Sequence, residues 1–539
     1  YSAVLPRSHP VTHNAALSAQ SGELLGHPKG LFVCFMTEMW ERFAFYGMKT
    51  LLLLYLTKYH LFADADGYLL LGTYAGLAYA LPLLGGLLAD RYLGMRKAVV
   101  FGGLLLVLGQ LGMAYTGDAA TGIQGQGVRD EFALQVMYAS LALIGVGVGF
   151  LKPNISTIVG RLYADNDPRR DSGFTIFYMG INVGAFLASI VVGYIGETIG
   201  WGWGFGLAGV MMALGLVQFV LGQKHLLGQA EPSDPVALRA PVFAGLSREW
   251  LIYLGGLVLA VVVWQVLQTR VSFAPLTAML GGHEPTLTEV VAVLMGAALF
   301  AWFIRLMLTD LTRVEKGRMI VLMVLIVVSA LFWGLYEQSY GPWVAMAERT
   351  MDLRTFGITW NAAQTTAFGA IFVILFSLPF AWLWPKLDKL GINPSYPAKF
   401  AWGLVFCGLA FGVLAWSAAN PGSDGLVSVW WLVLAYAVLV VGEMVLSPIG
   451  LAAVTSLSIK RAVGLMMGAW FLFSAFGEII AGRMGTWASI APNADGSFDI
   501  PRALGVYSSV FTDMMWIGLA AGVLMFALTP LLKKLMRPD

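Results

Sequence analysis

Charge is what this sequence has least of. Of its 539 residues only 12% are Asp, Glu, Lys or Arg, about half the share usual in soluble domains. With 58% hydrophobic residues, a soluble globule would present a large apolar surface to water. That class is excluded, and a mean hydropathy of +0.74 makes lipid the solvent. The net charge of +2 leaves no basic excess for nucleic acid. There are two cysteines, Cys34 and Cys407, both in apolar runs with no metal-ligand partner nearby; they read as packing residues, and a disulfide framework is excluded. HExxH, nucleophile-elbow and Walker-lysine motifs are missing. "GVGVGF" (145–150) lies in an apolar run and follows no strand, so it reads as close helix packing. No enzyme chemistry, metal or cofactor is expected. Residues 1–29 lack an apolar run of signal-peptide type and are expected to form a mobile cytoplasmic tail.

Long apolar runs are what the chain has instead. A spanning helix needs about 20 mostly apolar residues. Fourteen candidates occur, at 30–59, 67–92, 97–116, 132–162, 172–197, 201–223, 248–270, 287–309, 319–340, 357–385, 398–417, 426–457, 462–490 and 505–533. Alternate connections carry the bases: Arg91, Arg96 and Lys97; Arg161, Arg169 and Arg170; Lys224 and Arg239; Arg313, Lys316 and Arg318; Lys386 and Lys389; Lys460 and Arg461; and the tail with Lys533, Lys534 and Arg537. The intervening connections hold acids such as Asp64, Asp66, Asp118 and Asp424. This bias puts both termini in the cytoplasm.

The predicted fold class is an all-α polytopic membrane protein. A six-helix bundle at 30–223 is followed by a polar linker at 224–247, with Pro232, Pro235 and Pro241. A two-helix hairpin at 248–309 comes next, outside the bundle, with Arg270, Glu289 and Arg305 as its main charges. A second six-helix bundle occupies 310–539. Twelve core helices in two halves, plus two, is the major facilitator architecture, with its site between the halves near the midplane.

The run from Leu31 to Leu56 contains Glu38, Glu41, Arg42 and Lys49. Each such group at a helix centre costs about 2.5–3.5 kcal/mol on insertion scales. At 3.6 residues per turn, Glu38, Arg42, Phe45 and Lys49 share one stripe with Glu41 beside it, and that stripe must face protein or a wet cavity. Lys152, Glu337 and Glu443 lie in three further apolar runs. One reading is a static ion-pair cluster. The other is a cavity with bases on one wall (Arg42, Lys49, Lys152) and acids on the other (Glu337, Glu443), suited to a zwitterion. Tyr46, Tyr79, Tyr178, Asn182, Tyr336, Gln338, Ser447 and Trp470 add polar or aromatic groups within membrane segments. Asp90 in "GLLADRYLGMR" (86–96) reads as a cap or a partner for an Arg, and Asp90 with Arg91 is assigned to gating.

Glu38-x-x-Glu41-Arg42-Phe43 followed by Phe45-Tyr46-Gly47 resembles the ExxERFxYY signature of proton-dependent oligopeptide transporters of the major facilitator superfamily, prokaryotic type. "FYMGINVGA" (177–185) is similar to that family's second signature, and "LKPN" (151–154), "YEQ" (336–338) and "GEMVLSP" (442–448) to its patterns in later helices. The resemblance covers about Leu31 to Leu532. It implies proton-coupled import of di- and tripeptides across the inner membrane by alternating access. Arg42 and Lys152 would face the peptide carboxylate and Glu443 its amino terminus, with Asn182 helping to hold the peptide. Tyr46, Tyr79 and Trp470 would line the site, and Ser447 is counted with them. Glu38, Glu41 and Glu337 would couple protons. Lys49 would pair with Glu337 to close the outer gate, and Lys152 with Glu443 when the site is empty. The implied partners are peptides, protons and the bilayer, with the chain a monomer. Two departures bear on the amino-terminal end of the peptide: Phe45 replaces the first Tyr of the signature, and Ala367 stands where the family often has an Asn. A proton-antiport exporter of small hydrophobic or cationic compounds and a non-transporting peptide sensor are the competing functions.

Overall fold

The computed structural model describes residues 22–164, 167–280, 282–309, 311–459 and 462–536. The first 21 residues of the expected tail, and Lys460, Arg461 and Arg537 of the orientation argument, lie outside the described residues. The first helix, α1, spans Lys29–Leu54 and runs on through a π turn at Tyr55–Tyr59. Among the described residues, thirteen helices long and apolar enough to cross a bilayer follow it: α2 Asp64–Leu93, α3 Met95–Met113, α4 Glu131–Arg161, α5 Arg170–Thr198, α6 Trp201–Leu226, α7 Arg248–Gln268, α8 Leu287–Met307, α9 Arg313–Thr350, α10 Ala363–Lys389, α11 Tyr396–Ala419, α12 Val429–Leu457, α13 Val463–Ala488 and α14 Ile500–Met536. By composition alone α1 is the least lipid-compatible of the fourteen, because it carries the four charges named above.

Local chemistry sets the helix starts. Asp130 accepts the Ala133 N–H ahead of α4, and Thr312 with Glu315 forms a reciprocal capping box at α9, which starts six residues before the predicted 319. Helix α10 begins six residues later than predicted: residues 358–359 pair as a strand with 354–355 instead. The left-handed Phe356 and Gly357 make the turn between them, and a helix cannot pass through such a turn.

Helix α1 packs on α5 and α6, α3 on α4, α11 on α12 and α14, and α9 on α13. The first six helices meet the last six along two seams, α2 with α13 and α5 with α10. The first seam is very close. A Cβ on Gly72 would lie 2.7 Å from both the Glu478 carbonyl oxygen and the Gly482 Cα, so glycines fix the approach of these helices. Helices α7 and α8 expose most of their surface. Gly256 of α7 packs on Phe101, and Glu289 at the start of α8 accepts from Arg483 Nε and Nη2 at 2.8 and 2.6 Å. The linker contains a short helix, Pro235–Arg239, capped by Asp234, and is tied to α3 through Arg96 and Glu231. Cys34 and Cys407 are free and buried.

Candidate functional site

Helical spacing on α1 brings its charges into two clusters. In the first, Arg42 Nη2 donates to Glu41 Oε1 at 2.6 Å and Arg42 Nε donates to Glu41 Oε2. Glu38 Oε1 lies 3.5 Å from Arg42 Nε. The guanidinium stands 4.9 Å from the Phe45 ring centroid and 5.7 Å from that of Tyr46. All three charged residues are buried. Among the described residues Glu38 Oε2 has no hydrogen-bond partner, which is rare for a buried polar atom and marks a point where a proton or ligand can add.

Lys152 of α4 places Nζ 4.5 Å from the Tyr79 ring of α2 and stays partly accessible. On the second bundle, Glu443 of α12 accepts the Tyr336 hydroxyl of α9 at 2.7 Å. The expected Lys152–Glu443 ion pair is not formed among the described residues; each side chain has an aromatic partner on its own side instead. The Asn182 amide turns back to the Tyr178 carbonyl at 3.1 Å, while Tyr178 itself is exposed. Ser447 is half-buried. Trp470 is packed in deeply: a Cβ on Gly450 would overlap its ring, and its edge meets Phe400. Phe45, the departure from the signature, stacks on Tyr74. Ala367 is fully buried at the start of α10.

The second cluster lies two turns along α1. Lys49 Nζ donates to Glu337 Oε2 at 2.7 Å, the pairing expected from the sequence. It also donates to Glu478 Oε1 of α13 at 3.1 Å, a residue the sequence reading missed. The same signal that picked out Glu337 and Glu443, an acid inside an apolar run, was available in "FSAFGEIIAG". Above this triad the ring of Tyr340 lies 4.8 Å from Nζ and stacks on Tyr46.

Further contacts close the same end of the molecule. Arg349 grips Asp64 through two bonds of 2.6 Å, and the Ile490 N–H adds a third at 3.0 Å. Asp64 was counted in the sequence as a loop acid; it is buried. Thr366 of α10 joins Thr50 and Ser189 at 3.0 and 2.9 Å, and the Ala363 N–H donates to Glu197 at 2.8 Å. Asp90 and Arg91 lie at the other end of α2. Both are exposed and neither forms an ion pair among the described residues; Arg91 lies beside its neighbour Tyr92. The expected Asp90–Arg contact is therefore absent in this state, in which the bundles are joined at the end that holds Asp64.

Known proteins share both the chain and its shape. Residues 96–499 match the model of the POT family. The chain is 33% identical over 524 residues to a Bacillus subtilis protein called uncharacterized transporter YclF, covering 95% of this chain and 96% of that one. It is also 33% identical over 475 residues to the Yersinia enterocolitica peptide transporter YePEPT, covering 85% and 88%. A solved peptide transporter POT in complex with sulfate superposes with a TM-score of 0.78 at 32% identity, covering 97% of this chain and 99% of that one. A POT family transporter in complex with 5-aminolevulinic acid gives 0.76 at 27%, covering 95% and 98%. The family match takes in most of the chain, and the relatives cover it nearly end to end with the same helix arrangement: the chain belongs to the POT family.

Proposed function

We propose that this chain is a proton-coupled symporter that imports di- and tripeptides by alternating access. One observation carries the reading: bases (Arg42, Lys152) lie on helices of the first bundle and an acid (Glu443) on the second, and an ion triad ties the bundles together toward the end that holds Asp64. A peptide zwitterion matches such walls. Arg42 and Lys152 take its carboxylate, with the fork of the guanidinium and the point charge of the ammonium. Glu443 takes its amino group, held meanwhile by Tyr336. Asn182, Tyr46, Tyr79, Ser447 and Trp470 shape the rest of the site. Glu38, Glu41 and Glu337 carry protons. The bundles at 30–223 and 310–539 rock about the site, linked by 224–247, with the hairpin 248–309 alongside.

The basic loops put both termini in the cytoplasm of a bacterial inner membrane, so the joined end faces outward and this state opens inward. Asp90 and Arg91 then pair with the opposite bundle only in the outward-open state, which explains their exposure. Monomers suffice, since the whole site lies within one chain. The test is uptake of labelled dialanine into proteoliposomes under an inward proton gradient. Accumulation supports symport. Peptide binding without flux would indicate a sensor, and proton-driven efflux of cationic compounds an exporter. Tetrapeptides competing as strongly as dipeptides would contradict a site that encloses both termini.

A further inference from the structure

Lys49 has one positive charge and faces two carboxyl groups, and the side chains are only 1%, 8% and 5% exposed for Lys49, Glu337 and Glu478. With both acids ionised the triad would hold a net negative charge away from water, and two carboxylates that share one site resist joint ionisation. Beside the triad is a cavity of about 10 Å³ whose walls include Lys49, Glu337, Glu478, Gln338 and Tyr68, room for about one water molecule. Among the described residues, Gln338 Oε1 and the Tyr68 hydroxyl are buried without hydrogen-bond partners, on residues 1% and 2% exposed. Tyr68 also borders a cavity of about 460 Å³ with Asp64, Lys58 and Thr57. Tyr68 thus lines both the triad's small cavity and the larger cavity at the joined end.

The geometry points to Glu478 as a second proton-binding residue of this gate, sharing Lys49 with Glu337 and reached from the joined end past Tyr68. The inference rests on the proposed proton-coupled transport. In the closed gate one proton resides on the acid pair, leaving one carboxylate for the ammonium and no net charge. A second proton, entering from the outer cavity, neutralises the remaining carboxylate, and the attraction that joins α1 to α9 and α13 is lost. Release of that proton on the inner side restores the starting state, so this site carries one proton per cycle. Other charged or titratable groups near Glu478 are Tyr340 on α9, Tyr79 on α2, Lys152 on α4 and, about one turn along α13, Arg483 with Glu289 of α8. Of these none is bonded to the Glu478 carboxyl, and Lys49 is its cation.

Because either acid can hold the exchanging proton, Glu337→Gln alone does not abolish coupling. The purified full chain in proteoliposomes is expected to retain at least a third of wild-type proton-driven dialanine accumulation as E337Q and as E478Q. The double variant is expected to fall about tenfold or more while keeping peptide exchange. Loss in E337Q as deep as in the double variant would overturn the proposal, leaving Glu337 as the sole carrier and Glu478 as a fixed counter-charge. Infrared difference spectra give a reading that does not depend on transport or on the double variant folding. At neutral pH the wild type is expected to show one more protonated-carboxyl C=O absorbance than E478Q, and an E478Q spectrum identical to wild type in that region would also overturn it. Failure of the wild type to move dialanine at all would count against the proposed function and leave the infrared comparison standing.

Discussion

The two charge clusters on α1 differ in reach. Arg42 pairs with Glu41 and Glu38 of its own helix, so these contacts travel with α1 wherever it moves. Lys49 satisfies itself on α9 and α13, which belong to the other bundle. The first cluster can hold a group through a conformational change, whereas the second has to break in one. One helix thus carries a binding surface and a latch two turns apart, and the difference lies only in where each base finds its acid.

The largest effect is expected from the local cluster. Arg42→Ala leaves Glu41 and Glu38 buried without their cation and removes a charge-assisted donor, worth about 1.5–3 kcal/mol in binding. Dialanine uptake should fall to near background, as it should for Lys152→Ala, while both proteins still elute as folded species in detergent. Normal uptake by either would move the carboxylate site elsewhere. Next comes the latch. Asp64 and Arg349 are 2% and 8% exposed at their side chains, and breaking a buried pair by removing one partner costs about 3–5 kcal/mol. Asp64→Asn should shift the population toward the outward-open state, read as a longer spin-label distance between the bundles at the joined end. An unchanged distance distribution would show that the triad holds the gate without help. A smaller effect belongs to Tyr68→Phe, which removes the buried, unpartnered hydroxyl of a residue that lines both cavities: proton-driven uptake should slow several-fold with exchange unchanged, and equal slowing of both would assign Tyr68 to packing. The least is expected at Lys58, whose side chain is 42% exposed beside Glu348 and Glu197. Exposed pairs are worth about 0–1 kcal/mol, so Lys58→Ala should change uptake by less than about threefold, and a larger loss would place it in the latch.

Comparison of the clusters also indicates how far sequence reading reaches. The stripe Glu38, Arg42, Lys49 followed from helical period alone, whereas the pairing of Glu337 with Lys49 was implied by the family resemblance. Glu478 stood in the sequence as a lone acid in an apolar run, and no spacing rule joins residues 429 positions apart. Asp64 read as one more outer-loop acid, yet it is the buried receptor for Arg349. Lys152 and Glu443 were matched by opposite charge, but Tyr79 and Tyr336 are the groups beside them.

The sequence by itself determined the solvent, the number of spans and the cost of the buried charges. These follow from a local balance: each apolar run must satisfy its backbone internally in lipid, and each charge in it must find compensation. Only the tertiary structure decided which charge compensates which and at which end the bundles are joined. Those depend on how closely helices distant in sequence approach, and at the α2–α13 seam that is set by Gly72 and Gly482, residues whose contribution is the side chain they lack.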